Sequence, residues 1–139
     1  IKVSQRLSCS GVVLHPGHLT RPVASRKEGI RNSIRLIQSV LEAGEGKGGL
    51  ILIENIGMKD STLFRRVQDF SDFIHFFPSE RVKGLIDVGH AALQGFDLIE
   101  AARSLGERLV HLHLHDNSGT EDGHLPLGRG VIKIKELVV

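Results

Sequence analysis

Four short apolar runs, each ending in polar residues, constrain this chain more than any other feature. They are Gly11-Val-Val-Leu14, Leu50-Ile-Leu-Ile53, Gly84-Leu-Ile86 and the alternating Leu109-Val-His-Leu-His-Leu-His115. Nearly continuous apolar runs of this kind are typical of strands buried in a parallel sheet. Each releases a polar group where it stops: His15 before Pro16-Gly17-His18, Glu54 before Asn55-Ile56-Gly57, and Asp87 before Val88-Gly89-His90. Proline donates no ladder hydrogen bond and glycine permits a sharp turn, so HPGH ends the first strand. Between the runs the apolar period becomes helical. Ile30, Ile34, Ile37 and Leu41 mark a helix over about residues 25–43, closed by Gly44, Gly46, Gly48 and Gly49. Ser61 is the expected N-cap of a helix to roughly Ile74, with Leu63, Val67, Phe70 and Ile74 on one face. Asp97 caps another helix to about Leu105. Residues 1–8 read as a helix tail, and VIKIKELVV after Gly130 as a helix opening, with a strand as the alternative.

Strands alternating with helices make either a doubly wound sheet or a (β/α)8 barrel. No glycine-rich phosphate fingerprint follows the first strand, which counts against a dinucleotide-binding fold. All four strands release His, Glu or Asp at their C-terminal ends, the catalytic face of a β/α barrel. The expected fold is therefore α/β, a TIM (β/α)8 barrel. A complete barrel needs about 250 residues, whereas this chain has 139. The expectation is a single domain over residues 1–139, a partial barrel of about four β/α units; a family resemblance given below implies that the first strands and the last are the ones absent. Exposed strand edges would be a liability, so more of the same polypeptide or a second copy is expected to cover them.

Hydrophobic residues at 40% and charged residues at 24% describe a soluble globular protein. No apolar run approaches a membrane span and no signal peptide is recognisable, so the expected compartment is the cytoplasm. Cys9 is the single cysteine, which excludes an internal disulfide; a small buried hydrophobe is its expected role. A net charge of +2 suits an anionic small molecule and is too weak to argue for nucleic acid. Eight histidines in a chain without Trp or Tyr are the compositional oddity.

Three of those histidines, His111, His113 and His115, share one face of the last strand, because side chains alternate with period two. The strand runs into Asp116-Asn117-Ser118-Gly119, and a loop brings Asp122 and His124 back within a few residues. Imidazoles beside carboxylates suit a divalent metal such as Zn, Mn or Co. The alternative is a polar face of solvated histidines.

Four blocks, LHPGH at 14–18, LIENIG at 52–57, LIDVGHA around Asp87, and HLHLHDN with EDGHLPLGRG across 111–130, together resemble the xylose isomerase-like TIM barrel superfamily. That group includes sugar and sugar-phosphate isomerases and epimerases, and also endonuclease IV. The resemblance covers essentially the whole chain. It implies a metal centre built from Glu54, Asp87 and His113, with a further glutamate from a last strand not found here. In the epimerases Glu54 and that glutamate would form the acid/base pair, and His90 would contact a substrate oxygen. The implied enzyme is a divalent-metal-dependent isomerase or epimerase acting on a sugar or sugar phosphate.

In endonuclease IV the same positions serve a three-zinc cluster acting on abasic DNA. His15, Glu54, Asp87, His90, His113, Asp122 and His124 would fill seven of its places. Two departures weaken that second reading: His115 stands where those enzymes usually have Asn, and Gly123 where they have Arg. The loop after Glu54 is also short for a protein that must grip DNA. A member of the superfamily that has lost activity is the third possibility.

Each residue also has a structural alternative. Glu54 has the fewest, since a buried carboxylate requires a partner. Asp87 could cap the following helix, His113 could be a core histidine, and His90 could bond a helix N-terminus. His15 could belong to a simple turn, and Asp122 and His124 to a solvated loop. His111 or His115 could orient a ligand through its second ring nitrogen. His18 and His75 are expected on the surface. Arg129 is a candidate for holding a substrate phosphate. Arg21, Arg26, Lys59, Arg65 and Arg66 lie on the inferred catalytic side, either converging on the cleft or simply solvated.

Overall fold

The computed structural model describes residue 4 and residues 6–19, 25–44, 49–57 and 62–137. Arg21, Gly46, Gly48, Lys59 and Ser61 lie outside them, as do residues 1–3 of the expected N-terminal helix tail, of which Ser4 and Arg6 are helical. The strands are β1 (Gly11–Leu14), β2 (Leu50–Glu54), β3 (Val82–Asp87) and β4 (Leu109–His113). Helices α1 (Arg26–Ala43), α2 (Val67–His75), α3 (Val88–Gln94) and α4 (Leu98–Leu105) connect them. All neighbouring strands are parallel, in the order β1-β2-β3-β4. This sequential order is that of a barrel wall; a doubly wound sheet reverses direction at a switch point.

The core fills the space between sheet and helices. Ile51, Ile53, Val82 and Ile86 from the strands meet Ile37 of α1 and Val67, Phe70, Phe73 and Ile74 of α2. Phe64 touches Phe70 and Phe73 at centroid separations of 5.4 and 4.9 Å, in the tilted geometry aromatic rings favour. On α1 the apolar stripe is only partly realised: Ile37 is fully buried, whereas Ile30, Ile34 and Leu41 are partly buried against the core.

The sequence expectations need five corrections. Helix α2 starts at Val67 and not near Ser61. The Thr62 hydroxyl both donates to the Phe64 carbonyl and accepts from the Phe64 N–H, a local turn that competes with helix. Its N-terminus is instead held by the Asp69 carboxylate, which accepts from the Arg66 backbone and guanidinium. Helix α3 follows β3 directly; its two turns are too short for periodicity to reveal. Strand β4 ends at His113, two residues early. After Gly130 the described residues form a 3-10 turn at Ile134–Leu137 and no α-helix, and the Val131 and Ile132 N–H groups tie the preceding segment to Asn117 and Asp116. Finally, Cys9 is exposed. Val12 and Val13 of β1 are 40% and 42% exposed, in keeping with the place of β1 at the edge of the described sheet.

Helix α4 matches its expected limits, with the Asp97 side chain accepting the Glu100 N–H at 2.8 Å. Asp97→Ala is therefore expected to destabilise the fold by about 1 kcal/mol. An unchanged midpoint in urea denaturation would show that this cap contributes nothing.

Candidate metal centre

Register brings the candidate ligands together. Leu14 pairs with Ile53, Glu54 with Leu85, and Asp87 with His113. Side chains alternate along each strand, so Glu54, Asp87 and His113 emerge on one face, and His15 follows β1 opposite Glu54. A register shift between Gly84 and Leu85 accommodates an extra residue on β4, pairing Leu85 with His111.

Glu54 and Asp87 are almost fully buried, at 3% and 2% exposure. Glu54 Oε2 lies 3.0 Å from His15 Nε2, and Oε1 lies 2.9 Å from His113 Nδ1. Asp87 Oδ2 is 3.5 Å from His113 Nδ1, and Oδ1 is 2.9 Å from His115 Nε2. Oδ1 also accepts the His90 backbone N–H at 2.8 Å, capping α3. Capping and a place in the cluster are thus combined in one carboxylate.

His90 links this group to the loop. Its Nδ1 is 2.9 Å from the Asn55 carbonyl, which only accepts, so Nδ1 carries the proton. In the neutral ring Nε2 is then a lone pair, 3.2 Å from Asp122 Oδ2, another acceptor. Two acceptors facing each other require a proton or a cation between them. Burial disfavours the charged ring, yet the Asp87 charge, the Asn55 carbonyl and Asp122 outweigh it and raise the His90 pKa above the ordinary histidine value.

Among the described residues, two sets of side chains bring one potential ligand atom each within 4.8 Å of one another: Glu54, Asp87 and His90, and separately His115, Asp122 and His124. Both are mixed imidazole and carboxylate sets, the donors a borderline divalent ion takes. The rings of His115 and His124 stack at 4.0 Å and 6°. An adjoining cleft of about 770 Å³ is lined by His15, His18, His90, Leu93, Glu121 and Asp122 among others.

The structure thus gathers His15, Glu54, Asp87, His90, His113, Asp122 and His124. Arg129 is exposed on the turn after Pro126 and does not line the cleft. Arg26, Arg65 and Arg66 do not line it either, and Arg66 is paired with Asp69 at 2.5 Å. Of the two remaining strand histidines, His115 is buried on Asp87, whereas His111 is exposed. His18 and His75 are exposed, as expected.

Two residues escaped the sequence reading. Asn55 is 1% exposed, and its side chain bonds both the N–H of Asp87, at 2.8 Å, and its carbonyl, at 3.1 Å. It also donates to Gln94, tying β2 to the end of α3. Asp116 is fully buried. Burial alone would raise its pKa, but the N–H groups of Ile132, Gly130, Asn117 and Gly128 hold it below the usual carboxylate value. The available signal was a polar residue directly after Glu54 and directly after the histidine run.

Residues 1–138 match the family model described as xylose isomerase-like TIM barrel. The chain belongs to that family, and the four parallel strands and four helices among its described residues correspond to about half of the barrel. A D-tagatose 3-epimerase-like protein of known structure is 25% identical with a TM-score of 0.82, over 99% of this chain and 55% of that one. Endonuclease IV from Thermus thermophilus is 26% identical with a TM-score of 0.64, over 91% of this chain and 48% of its own. Fructoselysine 3-epimerase from Escherichia coli O157:H7 is 25% identical over 124 residues, 89% of this chain and 44% of the relative. The chain spans about half the length of the curated relatives it matches. Among the described residues, no helix is long and apolar enough to cross a membrane.

Proposed function

We propose that this chain carries the metal-binding part of a divalent-metal-dependent isomerase or epimerase acting on a sugar or sugar phosphate. The observation behind this reading is the pair of buried carboxylates, Glu54 and Asp87, at adjacent strand ends with imidazoles on both. Glu54, Asp87 and His113 would hold the ion, with His90 beside them. A bound Zn, Mn, Mg or Co ion would supply Lewis-acid polarisation of the substrate's carbonyl and hydroxyl oxygens. Glu54 would move the proton at the neighbouring carbon, fixed for that task by His15 and His113 and shielded from water. His90 lines the cleft and would contact a substrate oxygen through Nε2. The likeness to two proteins named for 3-epimerases favours this reaction class.

We place residues 1–139 in one cytoplasmic domain, completed by further polypeptide or a second copy, in keeping with relatives about twice as long. The second reading, a zinc phosphodiesterase acting on abasic DNA, is favoured by the second cluster of His115, Asp122 and His124. Elemental analysis of full-length protein purified without chelators separates the two. About one divalent ion per chain is the expected result. Three zincs together with cleavage at abasic sites would overturn it in favour of the nuclease, and no metal after adding it back would sink both.

A further inference from the structure

We infer that Asp116 is a positioning residue whose carboxylate anchors the loop that sets Asp122 and His124 against His90 and His115. This rests on reading those side chains as the rim of the proposed site. Asp116 is fully buried. Its Oδ1 accepts the N–H groups of Asn117 at 2.9 Å and Ile132 at 3.0 Å. Its Oδ2 accepts those of Gly128 at 3.0 Å and Gly130 at 2.9 Å. Its own backbone bridges Leu125 in both directions, at 2.8 and 2.7 Å. One residue therefore closes both ends of the 117–132 excursion and pins its middle directly after His124.

The loop requires such an anchor. Residues 118–124 are all exposed, so no apolar footing sets their course. His124 nevertheless sits at φ 45°, in the left-handed region that side-chain-bearing residues rarely occupy. Such a conformation persists only where the surroundings over-determine it, and here its ring is also held flat on His115. At the base of the loop, a Cβ on Gly130 would overlap both the Asn117 carbonyl and the Asp116 carboxylate. The backbone has approached the anchor as closely as glycine allows.

Asp116→Asn keeps the shape but replaces an acceptor oxygen with an NH2 group facing N–H donors. Gly130→Ala disturbs the same anchor from the other side. Both variants of the full chain would be followed by NMR, reading backbone amide exchange and histidine Cε1–H signals, first metal-free and then during zinc titration. Amide protection at Gly128, Gly130 and Ile132 should fall roughly tenfold to a hundredfold, as expected for lost hydrogen bonds to a charged group. The amides of β2 and β3 should keep their protection. The ring-current shifts of His115 and His124 should disappear, and zinc should still move His90 and His113 but no longer His124. Unchanged loop protection and an unchanged histidine stack in both variants would overturn the inference. So would loss of protection throughout the sheet in both, since the role would then be global stability. If zinc moves no histidine of the wild-type chain, the metal reading fails by itself, and the metal-free amide and ring signals still decide the anchor.

Discussion

Under the proposed function, Glu54→Gln is expected to lower activity by about 10²- to 10⁴-fold, the range typical of a lost acid/base group, and to weaken binding of an added divalent ion. Glutamine offers one acceptor where the carboxylate has two. Either His15 or His113 would then face an NH2 donor in place of the oxygen now 3.0 or 2.9 Å away. Stability should move the other way. Glu54 is buried with an oxygen within 4.8 Å of one on Asp87, and two carboxylates confined together repel. Neutralising one relieves that repulsion, so the metal-free variant should melt no earlier than the wild type. The checks are turnover on the best substrate from a sugar panel, metal content and a melting curve without metal. Activity within tenfold of wild type with full metal content would remove Glu54 from the site. A large fall in melting temperature would give it a structural role instead.

Gly89→Ala should damage the site without replacing any of the candidate ligands. Gly89 is buried in the first turn of α3, and a Cβ there would overlap the His115 ring. That ring cannot swing into solvent freely. It is 8% exposed, bonded to Asp87 at 2.9 Å and stacked on His124. Alanine in a helix gains roughly 0.5–1 kcal/mol over glycine, but forcing a methyl group into a filled space costs about 1–3 kcal/mol. Overpacking wins, and a net loss of on the order of 1–2 kcal/mol follows from these two terms. Displacing a residue that orients a ligand typically weakens metal binding about 10- to 100-fold. Urea denaturation and a competitive zinc titration would measure the two effects. Wild-type values in both would mean that His115 moves aside at no cost and supports nothing.

Part of this was legible in the sequence because it depends on neighbours along the chain. Apolar runs, helical periodicity at Ile30, Ile34 and Ile37, and the Asp97 cap are local signals. The appearance of His15, Glu54, Asp87 and the β4 histidines at strand ends is equally local. Alternation placed His111, His113 and His115 on one face but could not rank them. Whether an imidazole is solvated or buried depends on what packs over it. His115 is covered by Gly89 and His124 and reaches Asp87 across a sequence separation of 28. His111 carries an identical local pattern and remains exposed.

By itself, then, the sequence determined the alternation of strands and helices and the residue types delivered to the C-terminal edge of the sheet. Both follow from backbone periodicity and capping, which act within a few residues. Only the tertiary structure decided which ring nitrogen faces which oxygen, as in the His113–Glu54 contact between residues 59 apart. The same is true of Asn55 holding Asp87 in place and of Asp116 gathering four amides from a loop. Hydrogen-bond partners and solvent cover are set by strand register and by what packs alongside, and no local sequence pattern specifies either.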